Sequence, residues 1–246
     1  MKHENFKTCS QSGFCKRNRA FADDASAQGP SWTSPYELDS SSIQFKDGQL
    51  HGTILKSVSA NEKVKLPLVV SFLESGAARV VVDEEKRLNG EIQLRHDSKA
   101  RKERYNEAEK WVLVGGLDLS KTATLKPETE TGFTRVLYGP DNQFEAVIRH
   151  APFSADFKRD GQTHVQLNNK GYLNMEHWRP KVEVEGEGEQ QTQEDESTWW
   201  DESFGGNTDT KPRGPESVGL DITFPGYKHV FGIPEHADSL SLKETR

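Results

Sequence analysis

Glu235 and His236 stand side by side in "FPGYKHVFGIPEHADSL", residues 224–240, where an aromatic run meets a glycine, a proline, a carboxylate and an imidazole. Such a pair is chemically capable of proton transfer. Paired carboxyl catalysis, however, needs two acids held on rigid elements inside a cleft, and most acidic residues of this chain lie in polar runs. A purely structural reading also fits. It puts Tyr227, Val230 and Phe231 in a core, lets Gly232 and Pro234 shape a strand exit, and ties Glu235 and His236 to backbone at a junction.

Other chemistries find less support. The eight histidines are scattered without an HExxH, and the acidic residues lack the glycine-punctuated spacing of a calcium loop, so no metal is expected. GxSxG is absent, as are the phosphate-binding loop and the dinucleotide fingerprint, and no cofactor is expected either. Cys9 and Cys15 lie close together in "TCSQSGFCKRNRAF", with Gly13 allowing a tight return. Two thiolates fall short of the four ligands of structural zinc, which leaves a local disulfide as the preferred reading and free thiols as the alternative. A disulfide implies an oxidising compartment.

The elements that would carry these residues read as strands. "SSIQFKDGQLHGTILKS" has alternating apolar residues on both sides of Asp47-Gly48, a hairpin signal. "VKLPLVVSFLESGAARVVVDEE" reads as two strands around Ser75-Gly76. In "PFSADFKRDGQTHVQLNNKGYLNMEHW", Phe153, Ala155 and Phe157 alternate up to Asp160-Gly161; Val165 and Leu167 return, and the chain turns again into Leu173, Met175 and His177. Serial hairpins of this kind predict an all-β, antiparallel β-sandwich and exclude a βαβ protein. "DSKARKERYNEAEKW", residues 97–111, lacks an apolar helical face and reads as an exposed helix or hairpin tip. Residues 183–216 are acidic, glycine-rich and nearly free of aliphatic side chains, which predicts a mobile acidic insertion. Within it "TWWDESF" is expected to dock by its aromatics, with a sugar-stacking platform as the lesser alternative. Strand character resumes in "SVGLDITFPGYKHVFGI".

Composition sets the outer limits. A net charge of -7 argues against a nucleic-acid surface, which needs a coherent basic face. No apolar run approaches the ~20 residues of a membrane-crossing helix. With 33% hydrophobic residues and a mean hydropathy of -0.82, part of the chain is expected to be solvated loop.

"GYKHVFGIPEHAD", with "GPESVGLDITFP" just before it, resembles the N-terminal region of glycoside hydrolase family 31, and Pro234 stands where many members have a second glycine. The cysteine pair of "FKTCSQSGFCKRNRAF" and the run "VIRHAPFSADFKRDGQ" resemble that family too, so the likeness covers essentially the whole chain. It implies a galactose-mutarotase-like β-supersandwich, with an N-terminal segment 1–35 carrying a Cys9–Cys15 disulfide and a sandwich over 36–246. This domain would pack on a catalytic (β/α)8 barrel in the remainder of the polypeptide. The family's two catalytic aspartates lie in that barrel, and no catalytic residue carries over to this chain. Phe231, Gly232, Glu235 and His236 become neighbours of the substrate pocket, no more.

The branch resembled works in the endoplasmic reticulum lumen. There it removes α-1,3-linked glucose from N-glycans of newly made glycoproteins, alongside a β subunit. The end at "SLKETR" is expected to interrupt a longer polypeptide in an exposed loop. The alternative is a stand-alone lectin-like or chaperone-associated sandwich that binds without cleaving.

Overall fold

The computed structural model describes residues 6–84, 111–126, 131–177, 197–211, 214–232 and 239–243. By contacts the chain divides into two compact units, Pro35–Gln166 and the pair of segments Met1–Ser34 and Leu167–Arg246. The first 34 residues thus belong with the C-terminal part, a grouping that the order of segments in the sequence does not suggest.

The unit Pro35–Gln166 is a two-sheet β structure. Strands β1 (Tyr36–Lys46), β2 (Gln49–Ser59), β3 (Glu62–Phe72) and β4 (Ala78–Val82) form one antiparallel sheet in sequence order. Strands β5 (Thr124–Leu125), β6 (Phe133–Tyr138), β7 (Phe144–Arg149), β8 (Ser154–Arg159) and β9 (Gln162–Leu167) lie in the order β9-β8-β7-β6-β5 in a second. The Asp-Gly pairs do what their chemistry predicts: Asp47 and Gly48, and Asp160 and Gly161, all have positive φ, as a tight hairpin turn with the strands' own twist requires.

Period-two burial builds the core. Tyr36 and Leu38, Leu50 and Ile54, and Leu66, Leu68 and Val70 are buried along the first sheet, with Val136, Tyr138, Ala146 and Ile148 along the second. The sheets are joined by main chain as well, where Leu38 N–H donates to the His150 carbonyl at 2.7 Å and Phe153 N–H to that of Tyr36 at 2.8 Å. At one end, the ring centroids of Phe72 and Tyr138 are 4.9 Å apart and those of Tyr138 and Phe144 are 5.5 Å apart. Tyr138 donates its hydroxyl to the Gly76 carbonyl at 3.1 Å, and burial pushes that hydroxyl up to about 12. Gly76, at φ +88°, closes the β3–β4 connection against this cluster, and a Cβ there would lie 2.2 Å from the Phe144 ring.

The other unit holds the chain's one long described helix, α1 (Gly13–Gln28), which the polar N-terminal sequence did not announce. Around it lie β10 (Asn174–Met175) paired with β13 (Val218–Gly219), a one-turn helix α2 (Ser197–Trp200), and the hairpin β11 (Asp201–Phe204) with β12 (Asn207–Thr210). The 97–110 stretch and the acidic run 183–196 lie outside the described residues. The end of the expected insertion, 197–211, carries regular structure, with Gly205-Gly206 making the hairpin turn. Among the described residues after 217, strand character is confined to β13 and the two-residue β14 (Ile222–Thr223), shorter than the alternation suggested.

Two glycines separate steric from backbone cost. Gly76→Ala is expected to cost about 2–4 kcal/mol, adding a clash to left-handed strain. Gly161→Ala, where a Cβ meets nothing within 4 Å, should cost only the strain, about 1–2 kcal/mol. Urea unfolding of both variants checks the ranking, and equal losses would show that the Phe144 contact carries no weight.

Candidate functional site

Three carboxylates organise the unit that bears the 224–232 stretch. Glu176, its side chain 7% exposed, receives the Arg17 guanidinium from α1 through Nε and through a second nitrogen at 3.4 Å. The same carboxylate accepts the Ser217 backbone N–H at 3.0 Å and the Ser217 hydroxyl. Asn18, one residue on, donates to Ser217 Oγ at 3.1 Å and accepts from Asn174 at 3.1 Å, so the β10–β13 pair is held to α1 from both strands. Burial works against the charge on Glu176, but the Arg17 and Ser217 donors outweigh it and hold the carboxyl below its usual range.

Glu202, on β11, accepts from Lys211 Nζ at 2.7 Å, from the Gly13 N–H at 3.0 Å and from Lys7 Nζ at 3.1 Å. Burial again opposes the charge, and Lys211, Gly13 and Lys7 together bring the carboxyl from an ordinary 4.5 to about 2. Asp221 accepts the backbone N–H groups of Lys170 at 2.8 Å and Tyr172 at 2.9 Å, and so fixes the turn that Asn168 and Gly171 make. Gly171 has little room there. Its carbonyl accepts from Trp32 Nε1 at 3.2 Å, and a Cβ on it would lie 3.0 Å from that nitrogen. Cys9 and Cys15 are joined in a disulfide ahead of the helix, with Cα atoms 5.3 Å apart.

Downstream of Asp221 the chain is open. Val218, Leu220 and Ile222 are exposed at every second position, while Gly219 and Asp221 between them are partly buried. Tyr227 is 55% exposed and Phe231 60%, which corrects their placement in a core. The reason is local. The Phe224–Pro225–Gly226 turn, with Gly226 at φ +82°, ends the strand, and no ladder forms over 224–232 to present these rings inward. Val230 is half-buried, and its carbonyl accepts the Leu242 N–H at 2.8 Å. The His229 ring lies 6.3 Å from that of Phe231 at 29° and contacts Ser241 at 3.2 Å. Gly232 is exposed at φ +100°, a conformation that suits glycine. Glu235 and His236 lie outside the described residues.

Nothing described forms an acid/base pair in a cleft. The shallow depression lined by Asp141, Gln143, Glu145 and Asp160 has its central acid already committed, because Glu145 binds Arg135 at 2.9 Å and Lys158 at 3.6 Å. Among the described residues no group of three or more metal-ligating side chains occurs. Among the described residues, the ion pairs and hydrogen bonds of Glu176, Glu202 and Asp221 set the positions of α1, the β10–β13 pair, the hairpin and the 168–172 turn.

The sequence matches the family model described as the glycosyl hydrolase 31 N-terminal galactose mutarotase-like domain over residues 67–246. The chain belongs to glycosyl hydrolase family 31. Its relatives include the glucosidase 2 subunit alpha of Schizosaccharomyces pombe, 36% identical over 98% of this chain and 25% of the relative, and the human neutral alpha-glucosidase AB, 30% identical over the same shares. Among solved structures, a DNJ-bound glucosidase II alpha subunit is 59% identical, with a TM-score of 0.84 over 99% of this chain and 25% of its own. A heterodimeric ER glucosidase II complex of catalytic subunit and regulatory-subunit binding domain matches at 60% with a TM-score of 0.83, over 97% of this chain and 25% of that one. The chain thus spans a quarter of the length of its family 31 relatives. The antiparallel sandwich expected from the alternation is the fold that the family model describes.

The organising carboxylates of this family 31 domain were not singled out by sequence reasoning. Asp221 alone left a signal, an acid at the inward position of an otherwise aliphatic alternation. Both Glu176 and Glu202 are more acidic folded than unfolded, so the stability they lend is complete above about 4.5 and disappears as the pH falls below it. At neutral pH, Glu176→Ala should cost about 3–5 kcal/mol by removing the buried acceptor that Arg17 and Ser217 share. Glu202→Gln should lower Tm at neutral pH and flatten its decline between about pH 5 and about pH 2. Calorimetry across that range checks both, and a parallel, undiminished decline in Glu202→Gln would refute the assignment.

Proposed function

We propose that this chain is the N-terminal β-sandwich part of a retaining α-glucosidase that removes α-1,3-linked glucose from N-glycans of newly made glycoproteins in the endoplasmic reticulum lumen. The observation that carries it is the 59% identity over 99% of the chain to a glucosidase II alpha subunit. Bond cleavage belongs to the remainder of the polypeptide, whose barrel supplies two carboxyl groups about 5–5.5 Å apart, as retention requires. A glucosidase II beta subunit is the partner, by likeness to the heterodimeric complex.

The geometry supports a supporting role. Val218, Leu220, Ile222, Tyr227 and Phe231 leave apolar surface bare in the unit that Glu176, Glu202 and Asp221 organise, and such surface is a place for a further part of the protein to rest. Phe231 and Gly232, with Glu235 and His236 after them, are neighbours of the sugar pocket and not its catalysts. No observation favours a free-standing lectin.

The division of labour is tested by assaying glucose release from an α-1,3-linked glucose disaccharide. Residues 1–246 alone should release none above background, and the full-length polypeptide should turn it over; enzymatic turnover by the isolated chain would overturn the reading. Glycan binding by that chain alone would favour the lectin. In the full-length enzyme, Phe231→Ala should raise KM by about tenfold or less, the worth of one aromatic contact, with kcat nearly kept. A kcat loss of several orders of magnitude would make Phe231 part of the chemistry.

A further inference from the structure

The disulfide loop, the start of α1 and the hairpin β11–β12 share one carboxylate. Gly13 is the first residue of α1, so its amide has no acceptor within the helix, and Ser12 at the N-cap makes no side-chain cap on the amides that follow. Glu202 Oε1 supplies the acceptor for Gly13 from 189 positions away, at 3.0 Å. Lys7, just before the disulfide, reaches the same oxygen at 3.1 Å, and Lys211, just past β12, reaches Oε2 at 2.7 Å. Cys9 and Cys15 bracket Gly13, so their crosslink limits how far that amide, and Lys7 two residues upstream of Cys9, can move from Glu202. The Glu202 side chain is 11% exposed, and with two donors gone it would be left nearly buried with a single partner. Lys7 adds a second hold on the hairpin, its ammonium 5.8 Å from the centroid of the Phe204 ring. Every residue of β12 is exposed and β11 alternates between exposed and half-buried, and a two-stranded ribbon alone is marginal in water.

We propose that the Cys9–Cys15 disulfide and Glu202 form a thiol-sensitive latch that holds the hairpin β11–β12 against the start of α1. Opening it is a two-electron step. A dithiol reductant delivers two electrons and two protons, the S–S bond breaks to two thiols, and the reductant closes to its own disulfide. Cys9 is exposed, so a thiolate can approach. The released loop then samples conformations in which Lys7 and Gly13 leave Glu202, and the hairpin separates from α1 while the sandwich unit stays folded.

Hydrogen exchange read by mass spectrometry on the intact protein, with and without a dithiol reductant, tests this. Reduction should speed exchange by about tenfold or more in peptides covering 13–20 and 201–210, and leave peptides from β2 and β3 unchanged. Glu202→Gln in the oxidised protein should reproduce the acceleration in both regions, and reduction should then add little, because both changes open one latch. A Cys9→Ser, Cys15→Ser double variant should match the reduced protein and decides the matter if the reductant fails to reach the bond. If that variant does not fold, reduction of the folded protein decides. Unchanged exchange over 201–210 after loss of the disulfide would overturn the proposal. So would independent, multiplying effects of Glu202→Gln and reduction, or acceleration that extends to β2 and β3, which would make the disulfide a global staple.

Discussion

A carboxylate removed from water must be given donors, and the unit formed by the two ends of the chain is built around that demand. It is poor in aliphatic residues, so burial alone cannot set its geometry. Glu176, Glu202 and Asp221 do so instead, because each accepts from groups far away in sequence and each would be costly to leave unpaired. Glu176 joins α1 to the β10–β13 pair, Glu202 joins the helix start to the β11–β12 hairpin, and Asp221 fixes the turn over 168–172. The specificity comes from direction. An apolar contact tolerates sliding, whereas Ser217 and Arg17 must both meet one carboxylate.

The sandwich unit works the other way. Its two sheets are held by apolar area, with Leu50, Ile54, Leu66 and Ile148 essentially inaccessible to solvent, and its backbone is paired by the ladders and a few main-chain bonds between sheets, with buried side-chain pairs such as Thr134 and His150 beside them. The Phe72, Tyr138 and Phe144 rings fill the end where β3 turns into β4, and the hydroxyl of Tyr138 caps the carbonyl of the very glycine that the rings leave no room to replace. This is a rigid body of the kind that can carry loops for another domain.

Among the described residues, Glu145, Glu176, Glu202 and Asp221 are spent on ion pairs and hydrogen bonds within the fold, while apolar side chains at Val218, Leu220, Ile222, Tyr227 and Phe231 lie exposed. In the stretch 224–232, Gly226 and Gly232 both hold positive φ, which glycine adopts at no steric cost.

What could be read from sequence alone was whatever depends on neighbours along the chain. Alternation gave the strands of the sandwich, Asp47-Gly48 and Asp160-Gly161 gave the hairpin turns, and quoted motifs gave the family, since side-chain period and turn conformation are local properties. Helix α1 stayed hidden because its sequence has no strong apolar face and no side-chain cap of its own; it is completed by Arg17 meeting Glu176 and by Gly13 meeting Glu202. The exposure of Tyr227 and Phe231 was misjudged for a related reason, since an aromatic residue's type says it prefers burial but not whether the local chain forms a ladder that turns its ring inward. Contacts separated by 150 residues or more have no signature in a single sequence, and only the folded chain brings a carboxylate and its donors to the same point.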